Sequence, residues 1–190
     1  MEVVLASASP RRLALLEQVG IKARVCPADF EEEAGRAESA HDVALHNALG
    51  KCRAVASKLG DVVPVVAADT IVVIDEAILG KPKDTLEAAA MLTSLSGRSH
   101  QVLTGVAVRY QGREVAQVCA TKVHFRQLTE AEIAAYVATG EPLDKAGAYG
   151  IQGRGALLVE KIEGCYNNVV GLPLTMLYSM LKEIGAIMTK

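Results

Sequence analysis

The chain has 190 residues, 51% of them hydrophobic, and a formal net charge of −2. That is enough apolar material for one sizeable core or two small lobes around a cleft, and a single domain over residues 1–190 is the expectation. Acidic and basic residues are interspersed with no Lys/Arg run, which argues against a nucleic-acid partner and suits a mononucleotide better. Cys26, Cys52, Cys119 and Cys165 are far apart, form no C-x-x-C and have no histidine at zinc-finger spacing, so they read as reduced, mostly buried thiols. The sequence opens without a basic segment leading into an apolar one, and no stretch approaches a membrane span. The cytoplasm is the expected compartment, with no membrane partner.

In chain order, residues 2–6 read as a short buried strand and 10–19 as a helix carrying Leu13, Leu16 and Val19, closed by Gly20. A strand over 21–25 and an acidic loop over 26–39 follow. Residues 40–59 make a long helix, started by Ser39 three residues before Asp42. It stacks Leu45, Leu49, Cys52, Ala56 and Leu59 on one stripe and leaves Asn47 and Lys51, four apart, on another face. Residues 65–74 form the central strand, Gly80-Lys81-Pro82 a turn, and 84–95 a helix capped by Asp84 with Glu87 at the third position. Two β-rich arms, 102–108 and 115–123, flank Gln111-Gly112 as an antiparallel hairpin. Thr129 with Glu132 begins another capped helix that ends at Gly140. A glycine-rich loop over 140–155, a strand over 156–162, a loop from Gly164 to Pro173 and a C-terminal helix complete the chain.

Three segments carry residue types suited to phosphate chemistry. In the first, Ser7-Ala8-Ser9-Pro10-Arg11-Arg12, Ser9 is a good N-cap and Pro10 a good first helical residue. The helix N-terminus and the two guanidinium forks then suit phosphate oxygens, although an ordinary capped helix with solvated arginines explains the same residues. In the second, Asp69-Thr70 closes the apolar run Val65-Val66-Ala67-Ala68 at a strand end, where open α/β sheets hold ligands. A carboxylate there can hold a metal or orient water; alone, it could equally cap the next segment. Glu31, Glu32 and Glu33 are its possible partners around Mg²⁺ or Mn²⁺, and Lys51 and Lys81 could neutralise a triphosphate. In the third, the loop over 140–155, glycines allow close backbone approach and Gln152 offers a donor and an acceptor to a base edge; a flexible surface loop is the plainer reading. The sequence has no P-loop or Rossmann fingerprint, and His41, His46, His100 and His124 read as solvated or helix-flank residues.

These blocks, with Leu15-Leu16, the stretch from Thr139 to Gly153 and Gly164-Cys165-Tyr166-Asn167-Asn168-Val169-Val170-Gly171-Leu172-Pro173, resemble the Maf family of nucleoside triphosphate pyrophosphatases over essentially the whole length. The resemblance implies an elongated mixed α/β fold, a β-sheet flanked by helices in two lobes around a central cleft, similar to inosine triphosphate pyrophosphatases. It implies cleavage of a nucleoside triphosphate into monophosphate and pyrophosphate. Asp69 matches the catalytic acid/base, and Arg11, Thr70 and Gln152 match positions tied to substrate choice. Glu32, Lys51 and Lys81 match charged cleft residues. The expected metal ligands are thus Asp69 and Glu32, and the expected phosphate contacts are Ser7, Ser9, Arg12, Lys51 and Lys81. The block from Asp144 to Tyr149 with Ile151-Gln152-Gly153 looks like the branch acting on dTTP and UTP. A 7-methyl-GTP pyrophosphatase and a non-catalytic nucleotide sensor regulating septation are the alternatives. The expected partner is a nucleoside triphosphate, and assembly as a homodimer stays open.

Overall fold

The computed structural model describes residues 1–31 and 39–187. The chain runs β1 (Glu2–Leu5), α1 (Pro10–Gln18), β2 (Lys22–Val25), α2 (Ala40–Leu59), β3 (Val65–Ile74), β4 (Ala77–Leu79), α3 (Thr85–Leu95), β5 (Ser99–Tyr110), β6 (Arg113–Phe125), α4 (Glu130–Val137), β7 (Val159–Glu163), α5 (Tyr166–Val170) and α6 (Leu174–Glu183), with 3-10 turns between α4 and β7. The strands pair in the order β2-β1-β3-β5-β6-β7, with β4 on β3. β1 is parallel to β2 and β3, whereas β4 on β3 and β7 on β6 are antiparallel, so the sheet is mixed, as expected.

Local chemistry accounts for most element boundaries. Ser39 Oγ accepts from the Asp42 N–H at 3.2 Å and Asp84 Oδ1 from the Glu87 N–H at 2.8 Å. Thr129 and Glu132 form a reciprocal capping box. Gln111 and Gly112 both have positive φ, 49° and 78°, as a two-residue hairpin turn requires. Several features differ from the sequence reading, among them the strand expected over 156–162, which is a 3-10 turn as far as Leu158 and a strand only over Val159–Glu163. β3 spans the 65–74 expected for the central strand, so Asp69 lies inside it and not at a strand end, because Ile71-Val72-Val73-Ile74 remains a β-branched run. The short elements β4 and α5 add to it, each too brief to show a period. Of the four free cysteines only Cys52 is buried, the others being half-buried.

Two compact units emerge, one of Met1–Asp69, Thr104–Cys119 and Gly171–Lys190, the other of Thr70–Leu103 and Ala120–Val170. In the first, Val4, Ala6, Ala48, Cys52, Val55, Ala56, Val65, Ala67 and Ala107 form a core. The stripe of α2 that is buried carries small residues, Ala44, Ala48, Cys52 and Ala56, while Leu45 and Leu49 are half-buried and Leu59 is 41% exposed. The reason is close approach to β5: a Cβ on Gly105 would lie 2.1 Å from the Ala44 carbonyl oxygen, so α2 and the strand touch backbone to backbone. Burial, with Glu114 adding to it, pushes the Cys52 thiol up to about 12, and its Sγ donates to the Val65 carbonyl at 3.5 Å.

In the second unit the core gathers Val72, Ala88, Leu92, Leu95, Val123, Phe125, Ile133, Tyr136, Ala148 and Tyr149, among others. His100 belongs to this core instead of to the solvent: it is 3% exposed, meets Tyr149 OH through Nε2 at 2.7 Å, and stands edge-on to Phe125 and Tyr149. Burial, then the charge of His124, lowers its pKa to about 4, so the ring is neutral. His124 is half-buried, with Nε2 at 3.0 Å from Glu163. Asn168 ties the segment before Gly171 to the strands, its Nδ2 donating to the Val102 carbonyl and to Thr121 Oγ1, both at 2.9 Å.

Candidate active site

Asp69 sits in β3 behind four buried residues, and is itself buried. A strand interior has no spare donors for a carboxylate, and α2 supplies them from the side chains of two residues one turn apart. Lys51 Nζ lies 2.7 Å from Oδ1 and Asn47 Nδ2 donates to Oδ2 at 3.0 Å. The Lys51 and Asp69 side chains are only 13% and 8% exposed, so this is a largely desolvated ion pair with a fixed amide alongside. The two donors hold the carboxylate plane and occupy one lone-pair site on each oxygen, out of about four in all.

A carboxylate with acceptor capacity left over fits a hard divalent cation that takes one or two protein carboxylates and completes its shell with phosphate oxygens. Among the described residues no group of three or more His, Cys, Asp or Glu could hold a metal ion by itself. Glu32 and Glu33 lie outside the described residues. Glu31 is described and exposed. Phe30, just before it, is seated on α2: a Cβ on Gly50 would lie 2.2 Å from its ring, and the ring centroid is 6.5 Å from that of His46. Phe30 therefore packs against α2 beside Gly50, the residue preceding Lys51.

The Ser7 turn belongs to the same unit. β1 and β3 are parallel with Leu5 opposite Val66, so the chain leaves β1 at Ser7 level with the stretch that carries Asp69. Ser9 takes the N-cap position of α1 in an extended conformation, but its side chain makes no cap bond. Ser7 supplies the order instead. Its Oγ accepts from the Ser9 N–H at 3.2 Å and from Arg12 Nη1 at 2.9 Å, while Arg12 Nε donates to the Gly171 carbonyl at 2.9 Å. Arg12 thus braces the turn; Arg11, beside it, is half-buried.

The remaining candidates fall in the second unit. Thr70, next to Asp69, points to the opposite face of β3 and is partly exposed. Lys81 is exposed in its turn, which is joined to the glycine-rich loop by the Gly147 N–H donating to the Gly80 carbonyl at 3.0 Å. Gly147 and Ala148 both have positive φ, 67° and 59°, and a Cβ on Gly147 would lie 2.9 Å from Val72. Gln152 is exposed and precedes the 3-10 turn Gly153–Leu158.

A sequence model described as Maf-like protein matches residues 2–184. The chain belongs to the Maf family. Among curated relatives of this Maf-family chain, one from Syntrophotalea carbinolica is 51% identical, covering 97% of this chain and 86% of its own length, and is named a dTTP/UTP pyrophosphatase. A second, from Dictyoglomus turgidum, bears the same name at 50% identity, with 97% of this chain and 96% of the relative covered. The solved structure of the Staphylococcus aureus Ham1 protein aligns with a TM-score of 0.52 over 96% of this chain and 99% of that one, at 15% identity, and shares the fold.

The structure adds site residues that sequence reasoning did not single out. Asn47 had one signal, its spacing of four from Lys51, but nothing local says that Asp69 is their common target. Tyr136 and Glu141 had none, since they act on the backbone of a loop 14 residues away.

Proposed function

We propose that this Maf-family chain is a nucleoside triphosphate pyrophosphatase that hydrolyses dTTP and UTP to the monophosphate and pyrophosphate. The observation that carries the reading is a buried carboxylate, Asp69, held by Lys51 and Asn47 in a chain whose relatives at about 50% identity over 97% of its length bear that name. In this mechanism Asp69 orients a water and accepts its proton as the water oxygen bonds to the α-phosphorus. The bond from that phosphorus to the bridging oxygen breaks, and pyrophosphate leaves. Lys51, 2.7 Å from Asp69, holds the carboxylate in place and is assigned to offset phosphate charge. Arg11, Lys81, Ser7, Ser9 and the start of α1 are assigned as the further phosphate contacts, each a donor suited to phosphate oxygens. Asp69, with Glu32, would hold Mg²⁺ or Mn²⁺, which when bound polarises phosphate oxygens and offsets their charge.

Thr70 and Gln152 are assigned to base choice. Thymine and uracil present acceptor, donor and acceptor at O2, N3–H and O4, whereas cytosine reverses the last two. A Gln amide that complements the first pattern meets cytosine with like groups facing. Two such mismatches, at about 1–3 kcal/mol each, favour dTTP and UTP over CTP by roughly a hundredfold. The thymine methyl is a small apolar addition, so both substrates are accepted. No helix of the described residues is long and apolar enough to cross a membrane. The four cysteines, none of them in a disulfide, suit the reducing cytoplasm to which we assign the protein.

The test is kcat/KM for dTTP, UTP, CTP, GTP and 7-methyl-GTP on one preparation with Mg²⁺. Preference for CTP or 7-methyl-GTP would overturn the substrate assignment. Absence of pyrophosphate release from every substrate would leave only a nucleotide sensor.

A further inference from the structure

We propose that Glu141, together with the Tyr136 hydroxyl, is a positioning residue that sets where Gln152 stands and thereby controls the choice between pyrimidine bases; this rests on the dTTP/UTP reading above. Gln152 is exposed, yet the backbone on both sides of it is clamped by these two side chains. On the N-terminal side, the Gly150 N–H donates to Tyr136 OH at 3.3 Å. On the C-terminal side, the Arg154 N–H donates to Glu141 Oε2 at 3.1 Å and the Gly155 N–H to Oε1 at 3.2 Å. The circuit closes because Tyr136 OH donates to Glu141 Oε1 at 3.0 Å.

The surrounding residues fit this circuit and leave little room for another. A Cβ on Gly155 would lie 2.1 Å from the Gly150 carbonyl and 2.7 Å from Tyr136 OH, so the loop folds back until its two ends touch. A Cβ on Gly153, whose φ is +65°, would lie 3.0 Å from Glu141 Oε2. Glu141 is itself placed by its own N–H donating to Thr139 Oγ1 at 3.1 Å and by Lys145, whose ammonium donates to its carbonyl. Partial burial works against ionisation of Glu141, but the N–H groups of Gly155 and Arg154 and the Tyr136 hydroxyl hold its carboxyl below the usual range. Burial pushes the Tyr136 phenol well above its ordinary value, so it remains a donor.

A half-buried carboxylate that accepts two backbone N–H groups and a phenol is more than a surface loop needs for solubility. Its effect is to deliver one exposed amide from a fixed backbone, the preorganisation that a base reader requires. Neither Glu141 nor Tyr136 touches the base in this scheme. They act through Gln152.

The experiment measures kcat/KM for dTTP and for CTP in wild type, Glu141→Ala, Glu141→Gln and Tyr136→Phe. The ratio of the two constants on one preparation is independent of the fraction folded, so a merely structural defect lowers both and leaves the ratio alone. We expect the dTTP-to-CTP ratio to fall about tenfold or more in Glu141→Ala and less in Glu141→Gln, which keeps one acceptor oxygen, and in Tyr136→Phe. Ratios within about twofold of wild type in the folded variants would overturn the proposal. Should Glu141→Ala fail to fold, the other two variants decide by the same ratio. A wild type that releases no pyrophosphate from dTTP or UTP overturns the substrate reading and this inference with it, an outcome visible without any variant.

Discussion

Asp69→Asn is the substitution that separates the chemistry of the site from its stability. It changes one oxygen to an amino group inside a set of donors. Lys51 Nζ at 2.7 Å and Asn47 Nδ2 at 3.0 Å both need an acceptor there, and a new amide has only one. Asn47 can answer by turning its own amide, but an ammonium has no acceptor form. The stable arrangement therefore keeps the new carbonyl on Lys51, whose charge, on a side chain 13% exposed, loses the carboxylate it was paired with. Breaking a buried pair from one side costs about 3–5 kcal/mol; the residual exposure of Lys51 and the carbonyl left to it point to the lower end, about 3 kcal/mol. Adding Lys51→Met removes that ammonium as well, and the double variant should regain about 2 kcal/mol or more of that loss. Turnover should not return, and both proteins should stay below about a tenth of the wild-type rate, a barrier difference of about 1.4 kcal/mol. Urea unfolding gives the stabilities, and initial rates of pyrophosphate release, measured where each protein is fully folded, give the chemistry. A single variant within about 0.5 kcal/mol of wild type would refute the reasoning about the pair. A double variant above about a tenth of the wild-type rate would refute the role of Asp69.

Gly105→Ala should push α2 away from β5, because its Cβ would fall 2.1 Å from the Ala44 carbonyl; we expect a loss of about 1–3 kcal/mol by urea titration and a larger fractional loss of turnover than of folded protein, since α2 carries Lys51 and Asn47. His100, lowered to about 4 against an ordinary 6.5, is neutral in the folded state while the unfolded chain takes up a proton, so its share of stability is intact above about pH 6.5 and drains as pH falls toward 4, by about 3 kcal/mol in all. His100→Gln should flatten the pH dependence of stability in that window by about 1.4 kcal/mol per pH unit, and an unchanged slope would count against the assignment. Titrating Mn²⁺ against activity for Gln variants of Glu31, Glu32 and Glu33 should show a raised metal requirement at Glu32, and Gly50→Ala, which displaces the Phe30 ring, should raise it too; a shift at Glu33 alone moves the metal ligand by one residue.

Much of this protein is legible from neighbours in sequence. Ser39 with Asp42, Asp84 with Glu87 and Thr129 with Glu132 mark helix starts because each cap is a contact three residues long. Gln111-Gly112 marks the hairpin because only residues that tolerate positive φ fit such a turn. Asp69, Lys51, Lys81 and Gln152 stand out because charge or an amide beside apolar or glycine-rich residues is chemically conspicuous. What those residues face was decided by the tertiary structure. Lys51 finds Asp69 across 18 positions and Arg12 finds Gly171 across 159, distances at which no propensity or period carries information. The buried stripe of α2 went to alanines instead of leucines because Gly105 lets two backbones meet, a fact written 61 residues from Ala44 and visible only once both are in place. His100 reads from sequence as a solvated or helix-flank residue because burial is not a property of an imidazole but of the Tyr149 and Phe125 rings that close around it. Glu141 carries no local signal, because the backbone N–H groups whose need for an acceptor gives its carboxylate a role come from a loop that returns to it.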